Sequence, residues 1–438
     1  MLEIALTLAS VFLAIYLIGK WKIFHVDQVP VKVFHLLFII KIAAALALYV
    51  IYTRFYTDRA YADIFRYYDD SAVIYNTLLE HPWDFFRMLT GIRGQEADLL
   101  PYYDAMRNWY NTDLVFNDSR TMIRINAFLR LFTMGTYFPH AVVMCFLAMV
   151  GLTGIFRVLH ETVRGRPVIL ILIVYLLPST LLWTSGMIKE AFLVFALGTL
   201  LYQVSSWMKE KSFSLLRLFY ILLAAMLFIT VKAYVFFLFV PVVVSWVLCS
   251  NGRKHPVALT AGFFAVYFVL LSFLSPVITG REVPQLIADK QAEFYFVAEQ
   301  EQAKSVVEVQ RLEPSWESLI REAPGAFLRT LLLPLPQHAH NILMWFSAVE
   351  NIFILTLLLV LLLSINRNYF PASPGLLPAF FIFGVSVFIL SGWVTPIIGA
   401  LVRYKVPGLP FLLVPFTAIA YRSWMSAETW SWFKARKD

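Results

Sequence analysis

The residues of this 438-residue chain that are best suited to chemistry lie in the stretch "DIFRYYDD", residues 63–70. Asp63 and Asp70 are seven residues apart, so a helix would place them on one face with Arg66 between them. A carboxylate held by such a partner can act as a general base toward a hydroxyl group. The adjacent carboxylates of Asp69 and Asp70 could instead bind a divalent cation through oxygen ligands. The competing interpretations are a solvated loop face, or a helix N-terminus, where the helix dipole favours acidic residues.

A second set of charged residues lies within or beside long apolar runs. Its cations are Lys189, Lys232, Arg403 and Lys405, and its acidic members are Glu190 and Glu350. Ionisable residues in membrane segments usually face a protein interior or an aqueous cavity and mark function. Arginine offers a planar fork to phosphate oxygens and lysine offers a point charge, so the four cations are predicted to bind a phosphate group. Alternatively, long basic side chains extend to the lipid headgroups, which is the expectation for Lys41.

The elements that position these residues are predicted to be membrane-spanning helices. The chain is 60% hydrophobic and only 15% charged, far from the balance of a soluble domain. Runs of about 20 apolar residues, enough to cross a bilayer, occupy roughly 2–19, 33–53, 139–157, 168–185, 190–207, 217–231, 233–250, 256–275, 342–363, 375–394 and 402–421. The predicted fold is an all-α polytopic protein with about eleven transmembrane helices. It forms a single transmembrane domain, residues 1–438, with a first insertion at 54–138 and a second insertion at 276–340.

The distribution of basic residues predicts the orientation. Segments 20–32, 157–166, 208–217, 251–255, 364–374 and 422–438 together carry sixteen Lys and Arg against five Asp and Glu. Loops rich in Lys and Arg face the cytoplasm, so the N-terminus and both acidic insertions are predicted outside and the C-terminus inside. Run 217–250 has basic residues at both ends, which predicts a hairpin with its tip near Lys232. The net charge of +8 is thus a topology signal and does not indicate nucleic-acid binding.

The first insertion has two further features. All nine of its basic residues are arginine, although lysine is common elsewhere in the chain. Its segment "HPWDFFRMLTGI" is amphipathic and carries Trp83, Phe85 and Phe86. Such a segment is predicted to lie in the interface between the bilayer and water.

The layout and the motif "RYYDDSA" resemble the GT-C superfamily of membrane glycosyltransferases. This resemblance implies a polyprenyl-phosphate-linked sugar donor and an Asp in the first outer loop that acts as base or metal ligand. Asp69 and Asp70 match that motif, and Asp63 is a second possibility. The acidic loop follows the second crossing here, whereas in that superfamily it usually follows the first.

Two large outer loops also resemble polysaccharide repeat-unit polymerases of the Wzy type, which need an outer arginine, sometimes within R-x10-G. Arg124 and Gly135 have this spacing. The strings "PSTLLWTSGMIKE" and "LVRYKVPGLPF" look like those of bacterial membrane proteins of surface-polysaccharide assembly.

These resemblances lead to a prediction of sugar transfer at the outer face of a bacterial inner membrane. The partners would be a lipid-linked sugar donor, a glycan or lipid-linked acceptor, and membrane lipids. The catalytic carboxylates would be supported by Arg66, and the cations by Glu190, Glu350 and Tyr404. No cofactor is implied beyond a divalent cation at Asp69 and Asp70, whose presence the sequence leaves open. The alternatives are a transporter or flippase for a lipid-linked or anionic substrate, and a non-catalytic envelope scaffold.

Overall fold

The computed structural model describes residues 1–55, 59, 62–109, 117–163, 166–210, 214–249, 256–300, 303, 305–339, 341–365 and 376–420, without the side chains of residues 63, 256 and 342. Of the segments predicted to face the cytoplasm, 251–255 and 422–438 lie wholly outside these residues, and 364–374 lies outside them from residue 366 onward. The described part of the chain is α-helical and contains no β-strand. The prediction of an all-α protein is therefore confirmed.

Eighteen α-helices occur in the described ranges, and they are numbered in chain order. They are α1 Leu2–Lys20, α2 Val31–Arg54, α3 Asp63–Glu80, α4 Pro82–Thr90, α5 Leu100–Asp104, α6 Asp118–Thr133, α7 Tyr137–Thr162, α8 Pro167–Ile171, α9 Pro178–Trp183, α10 Lys189–Glu210, α11 Leu215–Cys249, α12 Pro256–Thr279, α13 Val283–Gln300, α14 Trp316–Leu332, α15 Ile342–Leu363, α16 Leu376–Val394, α17 Ile398–Tyr404 and α18 Leu409–Ile419. The first insertion thus contains α3 to α6, and the second contains α13 and α14.

Eight of the described helices, namely α1, α2, α7, α10, α11, α12, α15 and α16, are long and apolar enough to cross a bilayer. Together, α17 and α18 would form a ninth span, broken by a 56° bend. The chain is accordingly a multi-pass membrane protein.

The difference from about eleven predicted spans lies in three places. Run 168–185 is divided into α8, a π-helical turn Leu172–Leu176, and α9. Leu177 is extended there because the following Pro178 disfavours helical backbone in the residue before it. In the last run, Pro407 lies within the break between α17 and α18.

The third difference is α11, which joins the two predicted spans of run 217–250. Its 35 residues would extend about 52 Å, well beyond a hydrocarbon core of about 30 Å. The helix is interrupted at Lys232, whose φ of −152° and ψ of 80° are not helical. The interruption lies where the sequence predicted a hairpin tip; the hairpin itself stays a prediction.

The chain folds into two compact units, Met1–Arg157 with Leu181–Phe236, and Val158–Thr180 with Phe237–Asp438. Each unit contains membrane-length helices, so neither unit corresponds to one of the two insertions.

In the first unit, α7 and α10 approach each other closely through glycine. A Cβ atom at Gly198 of α10 would overlap the carbonyl oxygen of Gly151 of α7, and one at Gly154 would overlap the carbonyl oxygen of Gly198. The two backbones can touch only because these residues have no side chain. This contact fixes α10, whose first residues belong to the predicted site.

Helix α3 packs across the start of α7. The rings of Phe65 and Tyr68 lie 5.2 and 5.5 Å from that of Tyr137, the first residue of α7. The Tyr68 hydroxyl donates a hydrogen bond to the carbonyl of Gly135. The start of α3 also packs on α2 through a buried cluster that includes Leu48. The first insertion is therefore fixed against the membrane-length helices by an aromatic layer.

The core of the second unit is formed by α14, α16 and α18. Gly392 of α16 lies against the backbone of Ala326 in α14, and Gly384 lies against Leu412 in α18. Buried aromatic rings, among them those of Phe383 and Phe411 at 5.1 Å, fill the space between the helices. This packing positions the break between α17 and α18.

Candidate functional site

Helix α3 presents its two adjacent carboxylates to different surroundings. Asp70 is buried, and its two oxygens accept hydrogen bonds from the backbone N–H groups of Arg107 and Asn108 at 3.1 and 2.6 Å. The Asp69 side chain is 41% exposed and forms a two-pronged ion pair with Arg59 at 2.7 Å. This hydrogen bonding raises the pKa of Arg59. Asp70 thus anchors a loop, whereas Asp69 offers its carboxylate to solvent.

The remaining acidic candidate is Asp63, and its predicted partner is Arg66. Asp63 begins α3, but its side chain lies outside the described residues. Arg66 donates from Nε to the side-chain oxygen of Asn108 at 2.8 Å. Asn108 therefore joins Arg66 to the backbone contact of Asp70.

A divalent cation does not fit the predicted pair. The oxygens of Asp69 are engaged by a guanidinium and those of Asp70 by two backbone amides, so a shared cation would have to displace these partners. In the part of the chain that the structure describes, no group of three or more His, Cys, Asp and Glu side chains is placed to hold a metal ion.

Lys189, the first residue of α10, joins α3 to α6. Its Nζ lies 2.7 Å from the Asp118 carboxylate and 3.4 Å from the Ser119 hydroxyl. Its ammonium also faces the ring of Tyr67, 5.1 Å from the ring centroid. The Asp118 side chain is 44% exposed, so this ion pair is open to solvent on its acidic side. The sequence predicted Lys189 but not Asp118, which lies about seventy residues earlier in the chain.

Glu190 and Lys232 form a second ion pair in the same unit. Their Oε1 and Nζ atoms lie 3.1 Å apart, and both side chains are buried. Lys232 occupies the interruption of α11, so the pair ties that interruption to the start of α10. Glu190 thus contacts Lys232, one of the cations that the sequence predicted to bind phosphate.

Lys41 does not extend toward the headgroups, and that expectation was wrong. It is buried within the first unit and donates to the Thr184 hydroxyl. Thr184 belongs to the non-helical segment 184–188 that precedes α10, and the neighbouring Ser185 carbonyl accepts from the Cys145 thiol. The stretch "TSGMIKE" is therefore anchored by side chains from several helices.

The other predicted site residues belong to the second unit. Lys405 lies at the break between α17 and α18 and donates from Nζ to the side-chain oxygen of Asn351 at 2.7 Å. Asn351 in turn donates to the carbonyls of Leu331 and Leu332, at the end of α14. These hydrogen bonds join three elements in the interior of the unit: the break between α17 and α18, helix α15, which contains Asn351, and the end of α14.

Glu350 is buried beside this network. Its Oε1 accepts from the backbone N–H of Ser179, in the first turn of α9, at 2.8 Å. Arg403 is half-buried, and the ring of Tyr404 packs 5.7 Å from that of Phe294. The predicted cations therefore divide between the two units: Lys189 and Lys232 in the first, Arg403 and Lys405 in the second.

Sequence reasoning missed a cluster around Trp109. Tyr103 stacks on the Trp109 ring at 4.4 Å, and the guanidinium groups of Arg120 and Arg124 lie 4.9 and 5.2 Å from the ring centroid. Burial lowers the pKa of Arg124 to about 10 and also lowers that of Arg120. Arg124, the arginine of the R-x10-G spacing, donates to the carbonyl of Met88.

Arg130 is a further buried arginine of α6. It donates to the Tyr68 carbonyl and the Ser71 hydroxyl, and burial lowers its pKa. The signal for this arrangement was the exclusive use of arginine in the first insertion. A planar guanidinium stacks on aromatic rings and serves several backbone carbonyls at once, which an ammonium does less well.

Comparison with known proteins adds no assignment. No protein-family model, no curated protein and no solved structure matches the chain.

Proposed function

We propose that the chain is a membrane glycosyltransferase that uses a polyprenyl-phosphate-linked sugar at the outer face of a bacterial inner membrane, in surface-glycan assembly. The observation that carries the proposal is the contact between Lys189 and Asp118. It places a cation at the first residue of a membrane-length helix, next to a half-exposed carboxylate. Sugar transfer from a lipid phosphate needs a cation that binds the phosphate and a carboxylate that accepts the proton of the acceptor hydroxyl, both at the edge of the bilayer.

The proposed reaction moves one sugar from the lipid phosphate to an acceptor hydroxyl. The acceptor oxygen forms a bond to the anomeric carbon, and the bond from that carbon to the phosphate oxygen breaks. The leaving phosphate keeps the electron pair and is stabilised by Lys189. The acceptor proton passes to a carboxylate that acts as general base. Because Lys189 would exchange Asp118 for the phosphate, donor binding would release Asp118 from this ion pair.

Two carboxylates compete for the role of base. The sequence motif favours Asp69, which is half-exposed and paired with Arg59. The contact with Lys189 favours Asp118. If a lipid-linked glycan is the acceptor, the same chemistry extends a polymer, and the chain would be a repeat-unit polymerase.

The test uses cells in which the gene is replaced by variants, with surface glycan measured by gel analysis and lipid-linked intermediates measured by mass spectrometry. We expect Lys189→Met and the amide variant of the true base, Asp69→Asn or Asp118→Asn, to stop glycan assembly and accumulate the lipid-linked donor. Asp104→Asn, an exposed acid-to-amide change on α5, is the matched control and should leave assembly unchanged.

Asp70→Asn should act mainly on folding, because Asp70 accepts two backbone hydrogen bonds, so its amount in the membrane must be measured alongside. The glycosyltransferase proposal is rejected if Asp69→Ala, Asp118→Ala, Lys189→Met and Arg403→Ala variants, each present at normal amounts, retain full glycan assembly. That result would favour the scaffold interpretation.

A transporter or flippase is the second candidate. It is supported by the broken span α17–α18 with Lys405 at its break and the buried Glu350 of α15, since transporter sites are often built from broken helices. If this candidate is correct, Lys405→Met and Glu350→Gln should stop movement of the lipid-linked substrate across the membrane, whereas the Asp69 and Asp118 variants should not.

A further inference from the structure

Two helices of the first insertion present aromatic side chains to their surroundings. On α4, Trp83 is 58% exposed and stacks on Phe86, which is also exposed, with ring centroids 5.5 Å apart. On α6, Phe132 is 66% exposed and meets the exposed Phe128 edge to face at 5.3 Å. These four residues are called here the aromatic face. Monomeric soluble proteins rarely leave such rings in water without a partner.

The charges of α4 are directed away from its share of the aromatic face. Arg87 is buried on the inner side, where its guanidinium contacts Asp84, Glu96 and Asp98 at 3.1, 2.8 and 2.6 Å. Phe85 is buried on that inner side as well. The helix thus separates an inner side with ion pairs from an outer side with aromatic rings, which is typical of helices that lie in a bilayer interface.

Contacts within the first unit place these helices at the ends of its membrane-length helices. Phe65, Tyr68 and Tyr75 of α3 all approach residues 135–137 at the start of α7. Ten residues of helix rise about 15 Å, so α3 runs across the end of α7 instead of leading away from it. Helix α4 packs against α3.

Helix α6 is even closer to a span. Only residues 134–136 separate its last residue, Thr133, from the start of α7. Phe132 is therefore within a few residues of the point where a membrane-length helix begins.

We propose that α4 and α6 dock on the phospholipid bilayer, with the aromatic face at the level of the headgroups and upper acyl chains. Aromatic rings favour this layer, and Trp does so especially because its ring is apolar while its N–H can still meet water. The first insertion is then a platform lying on the membrane rather than a domain in open solution. The docking does not depend on the proposed enzymatic function, but it would let a lipid-linked substrate reach Lys189 without leaving the bilayer.

The experiment labels single cysteines with an environment-sensitive fluorophore in phosphatidylcholine nanodiscs, starting from a variant without the two native cysteines. The test positions are Trp83→Cys and Phe132→Cys. Phe12→Cys, exposed in the middle of α1, is the bilayer reference, and Asp104→Cys, exposed on α5, is the aqueous reference. Phe86→Cys and Phe128→Cys serve as second test positions if a first variant does not purify as a folded protein.

We expect the fluorophore at both test positions to emit at shorter wavelength than at Asp104→Cys, to lose intensity with brominated lipid, and to resist quenching by aqueous iodide. Quenching by iodide to the extent seen at Asp104→Cys would overturn the proposal. Protection from both quenchers would also overturn it, because the aromatic face would then be covered by protein. Lipid quenching at only one helix would refute a platform formed by both.

Discussion

The buried ion pair of Glu190 and Lys232 should make a large and measurable contribution to stability. Its two charged atoms lie 3.1 Å apart, and the side chains are 0% and 3% exposed. At an effective dielectric constant of about 20, opposite charges at this separation attract each other by about 5 kcal/mol. Removing one partner leaves the other charge buried, which typically costs about 3–5 kcal/mol. Lys232→Met and Glu190→Gln should each lose stability of this order.

The double variant, Glu190→Gln with Lys232→Met, should recover most of that loss, because a pair of neutral side chains replaces the buried pair of charges. The assay is the unfolding free energy from SDS titration in mixed micelles, analysed as a double-mutant cycle. A matched control is the Lys290–Glu293 pair of α13, which is closer, at 2.7 Å, but exposed. Glu293→Gln should therefore cost less than about 0.5 kcal/mol. The reasoning is refuted if the two single losses simply add in the double variant, since the charges would then not be coupled.

Two further predictions concern packing and pH. Gly198→Ala should destabilise the first unit by about 1–3 kcal/mol or more, because its Cβ would overlap the Gly151 carbonyl. Gly262→Ala on α12, where a Cβ meets nothing within 4 Å, is the control. The measurement is thermal unfolding of both variants: the midpoint should fall for Gly198→Ala and not for Gly262→Ala. Hydrogen bonding by Arg87 holds the pKa of Asp98 below its usual value of about 3.9, so the pair should stabilise the protein above that pH and lose this contribution as the pH falls through the lowered pKa. Asp98→Asn should make the thermal midpoint less dependent on pH between about pH 5 and 3. An unchanged dependence on pH in this range would refute the contribution of the Arg87–Asp98 pair.

The membrane-length helices of the chain, and some of the places where helices start or are interrupted, could be predicted from its residues. Long apolar runs must form helices in a bilayer because backbone groups there can be satisfied only within the segment, and eight such helices are present among the described residues. The start of α3 at Asp63 and the unusual backbone at Lys232 also fall where the sequence placed a helical acidic stretch and an interruption. These features depend on composition and on neighbours in sequence.

The role of each charged residue could not be predicted in the same way. Asp69 and Asp70 are adjacent and chemically identical, yet one is half-exposed and the other buried. Successive residues on a helix point about 100° apart, so their environments depend on what packs on each side of α3. Arg59 contacts Asp69, whereas the loop at Arg107 and Asn108 covers Asp70, and these contacts determine the exposure of each carboxylate.

The sequence by itself thus determined an all-α membrane protein with charged residues concentrated in and beside its helix ends. Only the tertiary structure decided which charges meet. Glu190 pairs with Lys232, 42 residues away, and its neighbour Lys189 pairs with Asp118 in another element. The physical reason is that helix formation is governed by contacts within a few residues, whereas the partner of a buried charge is fixed by how distant helices pack, as where Gly151 and Gly198 bring α7 against α10.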